Sequence, residues 1–261
     1  MNDDIYTLHR GELPLIVSVP HDGTRVPDGI ASRLTDSASR VPDTDWHIAR
    51  LYDFVREMGA SMIVPMHSRY VIDLNRGEDD VSLYPGQNTT GLCPLVQFTG
   101  EPVYQPGREP DEAEVRARIE TYWRPYHEAL RGEIERLRER HGRVVLWEGH
   151  SIKGDDLPFL FEGKLPDLNL GTASGASCLP ATQVRIEAAL TGQHDYGFVT
   201  NGRFKGGHIT RHYGHPSEGV EAIQLETSQR CYMDEVSFEW EEGRASRLQP
   251  LLRKLLQAAL G

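Results

Sequence analysis

Two histidines stand where short apolar runs stop. Leu15-Ile16-Val17-Ser18-Val19 runs into Pro20-His21-Asp22-Gly23, and Arg143-Val144-Val145-Leu146-Trp147-Glu148 runs into Gly149-His150-Ser151. Each run reads as a buried strand, so each imidazole is expected where the backbone leaves a sheet, the edge at which open α/β folds bind ligands. A catalytic zinc site takes three protein ligands from histidine and carboxylate and keeps a fourth position open. His21 and His150 can supply two of the three. The third should be a carboxylate, and Asp22, Asp43 and Asp45 are nearest in sequence; Asp45, at the start of an expected helix, is preferred. Plainer readings compete. A histidine after a strand also serves as a turn or packing residue, and an aspartate at a helix N-terminus is stabilised by the helix dipole.

The elements that would carry these groups alternate between strand and helix. Trp46, Ile48, Leu51, Tyr52 and Val55 recur at helical spacing over 44–58, with Thr44 as N-cap. Short apolar strands are expected over 60–66 and over 70–74, the second ending in Asn75-Arg76. From 77 to 107 the pattern dissolves into Gly, Pro, Thr and Asn, a long loop suited to a lid or to a plain surface excursion with a hairpin around Leu95 to Phe98. A long amphipathic helix is expected over 110–140, kinked or broken at Pro125, with His127 and His141 on its surface and a solvated charged face that includes Glu133. After the strand over 143–148 come a helix over 179–190, a strand over 196–200 and a strand over 219–226 that ends in Glu226. A leucine-rich helix over 244–260 closes the chain and should dock on the sheet.

Bulk properties narrow the function classes. A chain of 261 residues with 38% hydrophobic and 26% charged residues can bury a sizeable core, and no run of 18 apolar residues is present to cross a membrane. The net charge of -11 disfavours a general role on nucleic acid, yet leaves room for an anionic small substrate held by a few focused arginines. The acidic start of the chain carries no basic, apolar signal segment, which points to a cytoplasmic protein. Cys93, Cys178 and Cys231 are too widely spaced for a thiolate metal site and read as packed thiols. No Gly-x-Ser-x-Gly elbow suggests a serine hydrolase. Neither a repeat nor a linker is apparent, so 1–261 is expected to form one domain.

Several stretches together resemble one family, the N-formylglutamate amidohydrolases. They are Ser18-Val19-Pro20-His21-Asp22-Gly23, Asp43-Thr44-Asp45-Trp46-His47 with Leu51-Tyr52-Asp53-Phe54, Ser68-Arg69-Tyr70-Val71-Ile72-Asp73-Leu74-Asn75-Arg76, Gly149-His150-Ser151, Gly207-His208-Ile209-Thr210-Arg211 and Gln224-Leu225-Glu226. The resemblance covers most of the chain. It implies a three-layer α/β/α sandwich around a mixed sheet, of the zinc carboxypeptidase-like kind. It also implies one zinc ion held by His21, Asp45 and His150. In the peptidase relatives the acid ligand lies three residues after the first histidine, a place that holds Thr24 here, so Asp43 and Asp22 stay open beside Asp45. Glu148 would orient a ligand from behind.

By the same resemblance Glu226 is the catalytic acid, able to take a proton from water and deliver one to the leaving amine. A salt-bridged glutamate at a strand end is the plainer alternative. Asn75 and Arg76 resemble a pair that binds substrate carboxylate, with Arg69 and Arg211 as further candidates, since planar arginine suits bidentate recognition of two carboxylates. His208, His212 and Tyr213 could line the pocket or hold an oxyanion. The implied reaction is metal-dependent hydrolysis of N-formyl-L-glutamate to formate and L-glutamate in histidine degradation. A deacylase of another N-acyl amino acid, or a catalytically silent protein that binds acidic metabolites, are the alternatives.

Overall fold

In the computed structural model, residues 5–82, 86, 88–155, 157 and 159–261 are described. The acidic run at 1–4 and part of the loop expected over 77–107 lie outside them. The strands are β1 (Tyr6–His9), β2 (Leu15–Ser18), β3 (Ser61–Pro65), β4 (Val144–Ile152), β5 (Leu168–Gly171), β6 (Phe198–Thr200) and β7 (Val220–Ser228). They form one sheet in the order β1-β3-β2-β4-β7-β5-β6. Neighbours among β3, β2, β4 and β7 run parallel, while β1 on β3 and β5 on β7 run antiparallel, so the sheet is mixed.

The helices are α1 (Asp28–Ala31), α2 (Ile48–Leu51), α3 (Val55–Met58), α4 (Glu112–Arg118), α5 (Arg124–His141), α6 (Pro180–Thr191), α7 (His208–Tyr213) and α8 (Glu242–Leu260). They cover both faces of the sheet, which is why its central strands read as continuous apolar runs. Side-chain alternation divides the core. Leu15, Val17, Val145, Trp147, Ile223 and Leu225 face a cluster built with α2, α3, α6 and α8. Ile16, Ile63, Val144, Leu146, Val220 and Ala222 face one built with α5 and α7. The result is the three-layer α/β/α sandwich that the resemblance implies, and each fully buried Leu, Ile or Val stabilises it by about 1.5–3 kcal/mol.

Several local expectations need correction. The helix expected over 44–58 is two four-residue helices, α2 and α3; Thr44 caps neither, and His47 ahead of α2 takes a left-handed φ of 62°. Residues 70–74 form turns instead of a strand. Their carbonyls are taken by side chains: buried Arg118 donates to Tyr70 and Val71, and the Tyr104 hydroxyl donates to Tyr70. The hairpin expected near Leu95 is present in minimal form, an antiparallel bridge of Val96 with Pro102 in which Val103 N donates to Leu95 O and Gln97 N to Glu101 O.

Pro125 does not break the long helix. A π-turn over Ile119–Trp123 joins α4 to α5, and Pro125 falls in the first turn of α5, where its missing N–H is tolerated. Glu133 and His127, expected on the solvated surface, are both buried. Ser61 of β3 and Arg136 pair with Glu133. Two strands escape the sequence reading. β1 is a half-exposed edge strand, and β5 is four residues long with an asparagine inside it.

Candidate active site

The site lies at the carboxyl edge of β2, β4 and β7. Ser18, the last residue of β2, pairs with Glu148, and β4 continues for four further residues. Farther along, His150 pairs with Glu226 of β7. Both strands therefore run beyond the place expected from the sequence, and His150 lies inside β4. Because side chains alternate along a strand, Glu148 and His150 continue the row of Val144 and Leu146, and Gln224 and Glu226 continue the row of Val220 and Ala222. Apolar below and polar above, these rows aim four functional groups at the layer containing α5 and α7.

His21 arrives from the loop after β2. Gly23 lets this loop pass the His67 backbone, which an added Cβ would strike. Asp45 is tied to the same loop, since its backbone N–H donates to the His21 carbonyl across 3.0 Å. His21, Asp45 and His150 each offer a ligand atom, and the three atoms lie within 4.8 Å of one another. His150 Nδ1 is 3.1 Å and His21 Nδ1 3.7 Å from Asp45 Oδ2. His21 Nδ1 is buried with no hydrogen-bond partner.

Each histidine is anchored through its other nitrogen. His21 Nε2–H donates to Asp73 Oδ1 at 2.6 Å, and His150 Nε2–H donates to Glu148 Oε1 at 2.7 Å. The second Glu148 oxygen accepts from the Thr210 hydroxyl of α7. A carboxylate behind each imidazole fixes the ring and leaves Nδ1 facing inward, the usual support of a metal-ligating histidine.

Asp22 and Asp43, the other aspartates considered as ligands, are engaged elsewhere. Asp22 Oδ1 accepts from Ala49 N at 2.9 Å; Asp43 Oδ2 accepts from the Tyr70 hydroxyl at 2.7 Å and from Phe98 N at 2.9 Å. Burial pushes both carboxyls up to about 6.

The site is rich in buried acids. Asp45, Asp73, Glu148 and Glu226 are all buried, and the buried guanidinium among them is Arg69, which donates to Asp45 Oδ1 at 2.7 Å. Burial opposes the charge of Asp45, but Arg69 and the two histidines outweigh it and hold that carboxyl well below the ordinary range. For Asp73, burial is outweighed in the same way by His21, with Arg69 and Arg76 adding to it. Burial raises Glu226 to about 8, and Asp45 and Glu148 add to the rise. An excess of buried carboxylate facing two imidazoles and an orphaned imidazole nitrogen suits a divalent cation.

A cavity opens over this floor. Its lining includes His21, Asp73, His150 and Glu226 below, with Arg69, Asn75 and Arg76 beside them. Asn75 Nδ2 lies 3.1 Å from His150 Nε2, and Asn75 Oδ1 accepts from Ile209 N. Gly207 packs so closely on the Asn75 amide that a Cβ there would overlap it. Arg69 Nε is buried without a hydrogen-bond partner.

Arg211 stands apart from the other candidates. It donates to the Gly206 carbonyl and is absent from the described lining, as are His208, His212 and Tyr213. Tyr213 instead meets His127 Nδ1 at 2.9 Å, behind the cavity. Sequence reasoning missed Arg203, Phe204 and Gln224, which do line it. Gln224 was legible as a neighbour of Glu226 in strand period; Arg203, in an irregular loop, carried no signal.

Known proteins resemble the chain along nearly its whole length. The model of the N-formylglutamate amidohydrolase family matches residues 13–233. The chain is 49% identical over 259 residues to an N-formylglutamate deformylase of Pseudomonas putida, covering 99% of this chain and 96% of that one. It is 46% identical over 259 residues to an N-formylglutamate deformylase of Pseudomonas aeruginosa, covering 99% and 97%. Among solved structures, an N-formylglutamate amidohydrolase from Ralstonia eutropha matches with a TM-score of 0.82 at 29% identity, covering 98% of this chain and 96% of that one. A gene product of Agrobacterium tumefaciens matches with a TM-score of 0.72 at 18% identity, covering 98% and 94%, and bears on the fold alone. With the family model spanning most of the chain and close relatives spanning nearly all of it, the chain belongs to the N-formylglutamate amidohydrolase family.

Proposed function

We propose that the protein is a zinc-dependent amidohydrolase that cleaves the formyl C–N bond of N-formyl-L-glutamate, giving formate and L-glutamate. The reading includes the cytoplasm and histidine degradation as its setting, on the strength of the family. The observation that carries it is the convergence of His21 Nδ1, His150 Nδ1 and Asp45 Oδ2, with a carboxylate behind each imidazole. The names of the two Pseudomonas relatives supply the substrate.

His21, Asp45 and His150 would hold the zinc. When bound, the ion supplies a Lewis acid that polarises the formyl carbonyl and acidifies water. Glu226, beside His150 on the neighbouring strand, takes a proton as the water oxygen bonds to the formyl carbon. It returns that proton to the amide nitrogen as the C–N bond breaks, so the nitrogen leaves as the amine of glutamate. Arg69, buried and fixed on Asp45, sets a positive charge where negative charge develops on the formyl oxygen. Asn75 and Arg76, on the cavity wall, orient the substrate through its carboxylate.

The test is metal analysis of the purified protein with a formate-release assay on N-formyl-L-glutamate, N-acetyl-L-glutamate and N-formyl-L-aspartate. The reading expects about one zinc per chain, loss of turnover on chelation and highest kcat/KM on N-formyl-L-glutamate. Metal-independent turnover would reject it.

A further inference from the structure

The proposed substrate carries two carboxylates that differ in their distance from the scissile bond. One sits on the carbon that bears the formamide, and the other lies beyond two methylenes. The cavity must therefore offer one cationic site near its floor and a second farther out, with apolar surface between them.

The lining supplies cations from separate parts of the chain. Arg69 already grips Asp45. Arg76 follows Asn75, which touches His150, and its charge acts on Asp73, the partner of His21. It stands on the wall beside the floor, and its backbone N–H donates to the Asp73 carbonyl. The Trp123 indole N–H fixes the Arg76 carbonyl at 2.9 Å.

Arg203 enters from the loop after β6 and is followed by Phe204, which packs on a small apolar cluster of Phe98, Ile152, Leu157 and Leu165. The loop is pinned on both sides of Arg203. Asn201 N donates to Leu170 O, Asn201 Oδ1 accepts from Thr172 N, Lys205 O accepts from Ala173 N, and Gly207 N donates to the Gln224 side chain. A pinned loop holds its arginine at a set place on the wall, next to surface fit to cover methylenes.

We propose that Arg76 binds the carboxylate beside the formamide and Arg203 binds the side-chain carboxylate, making Arg203 the residue that selects an acidic substrate. The assignment rests on the reading of the reaction given above. It separates a residue needed for any N-formyl amino acid from one needed only for the acidic side chain.

The experiment compares kcat/KM for N-formyl-L-glutamate and for its near-isosteric amide, N-formyl-L-glutamine, in the zinc-loaded wild type, Arg203→Met, Arg203→Lys and Arg76→Met. Loss of a bidentate carboxylate partner should reduce the Glu/Gln selectivity ratio by about 100-fold in Arg203→Met, with partial recovery in Arg203→Lys. In Arg76→Met both substrates should fall together and the ratio should hold. An unchanged ratio in Arg203→Met overturns the assignment.

If the wild type releases formate from neither substrate, the reading of the reaction falls by itself. Calorimetric binding of L-glutamate against L-glutamine to the zinc-loaded protein then decides for Arg203. Loss of the preference for L-glutamate in Arg203→Met sustains the assignment, and its persistence overturns it.

Discussion

His21 and Asp73 are joined by a hydrogen bond of 2.6 Å between Nε2 and Oδ1, with both side chains nearly fully buried. The bond selects the tautomer that leaves His21 Nδ1 without a proton and facing Asp45 and His150. Asp73→Asn keeps the shape but removes the charge. Loss of such support typically weakens metal binding by about 10- to 100-fold, and zinc competition with a chelator should show a shift of that size. Unchanged affinity would mean that His21 is oriented by packing alone.

Glu226→Gln should retain zinc and bind substrate while kcat falls by about 10²- to 10⁴-fold, because the amide cannot accept the proton of the attacking water. Steady-state kinetics beside metal analysis separates this from loss of the site. Near-normal kcat would remove Glu226 from the proton-transfer role.

Removing the metal should lower stability as well as activity. The ligand atoms of His21, Asp45 and His150 converge only in the folded chain, so a cation bound there stabilises the native state over the unfolded chain. Zinc at 100 times its dissociation constant adds about 2.7 kcal/mol, which corresponds to a rise in melting temperature of about 5–10 °C by calorimetry. A melting temperature insensitive to zinc and chelator would place the binding site elsewhere.

His127 predicts an acid-sensitive term. Burial lowers its pKa to about 3, and the ring is held neutral, with Nε2–H donating to the Leu74 carbonyl and Nδ1 accepting from Tyr213. Below pH 6.5 the unfolded chain binds a proton that the native state refuses, so this contribution falls as pH drops from about 6.5 towards 3, at up to about 1.4 kcal/mol per pH unit. Asp22 and Asp43, raised by burial to about 6, act in the opposite sense and contribute less as pH rises through that value. Urea unfolding of wild type and His127→Gln isolates the histidine. The stability gap between them should narrow steadily below pH 6, and a constant gap would show that His127 does not titrate with folding.

The placement of the cavity floor was legible because it follows strand ends. His21, His150 and Glu226 each terminate or extend an apolar run, and period two along β4 and β7 places Glu148, His150, Gln224 and Glu226 on one face. Asp45 could be preferred for its place before an expected helix, but Asp43 and Asp22 could not be set aside. What separates them is the tertiary pairing of Asp45 with His21, His150 and Arg69, which no local pattern encodes. The segment 70–74 misled for a related reason. Its apolar residues are buried as a strand's would be, but its backbone bonds go to Arg118 and Tyr104 from distant segments. Buried His127 and Glu133 misled because their partners lie on Tyr213, Leu74 and Ser61, outside the helix that carries them.

The direct opposition of His150 and Glu226 on neighbouring parallel strands has an evolutionary consequence. Their spacing is set by the backbone ladder of the sheet, and a slip of one residue would turn either side chain to the other face. Insertions and deletions are thereby barred from this pair, while Arg203, carried on a loop outside the ladder, can be substituted without disturbing the sheet. Divergence towards other acyl amino acids can proceed by substitution on that loop, with the pairing of His150 and Glu226 inherited intact.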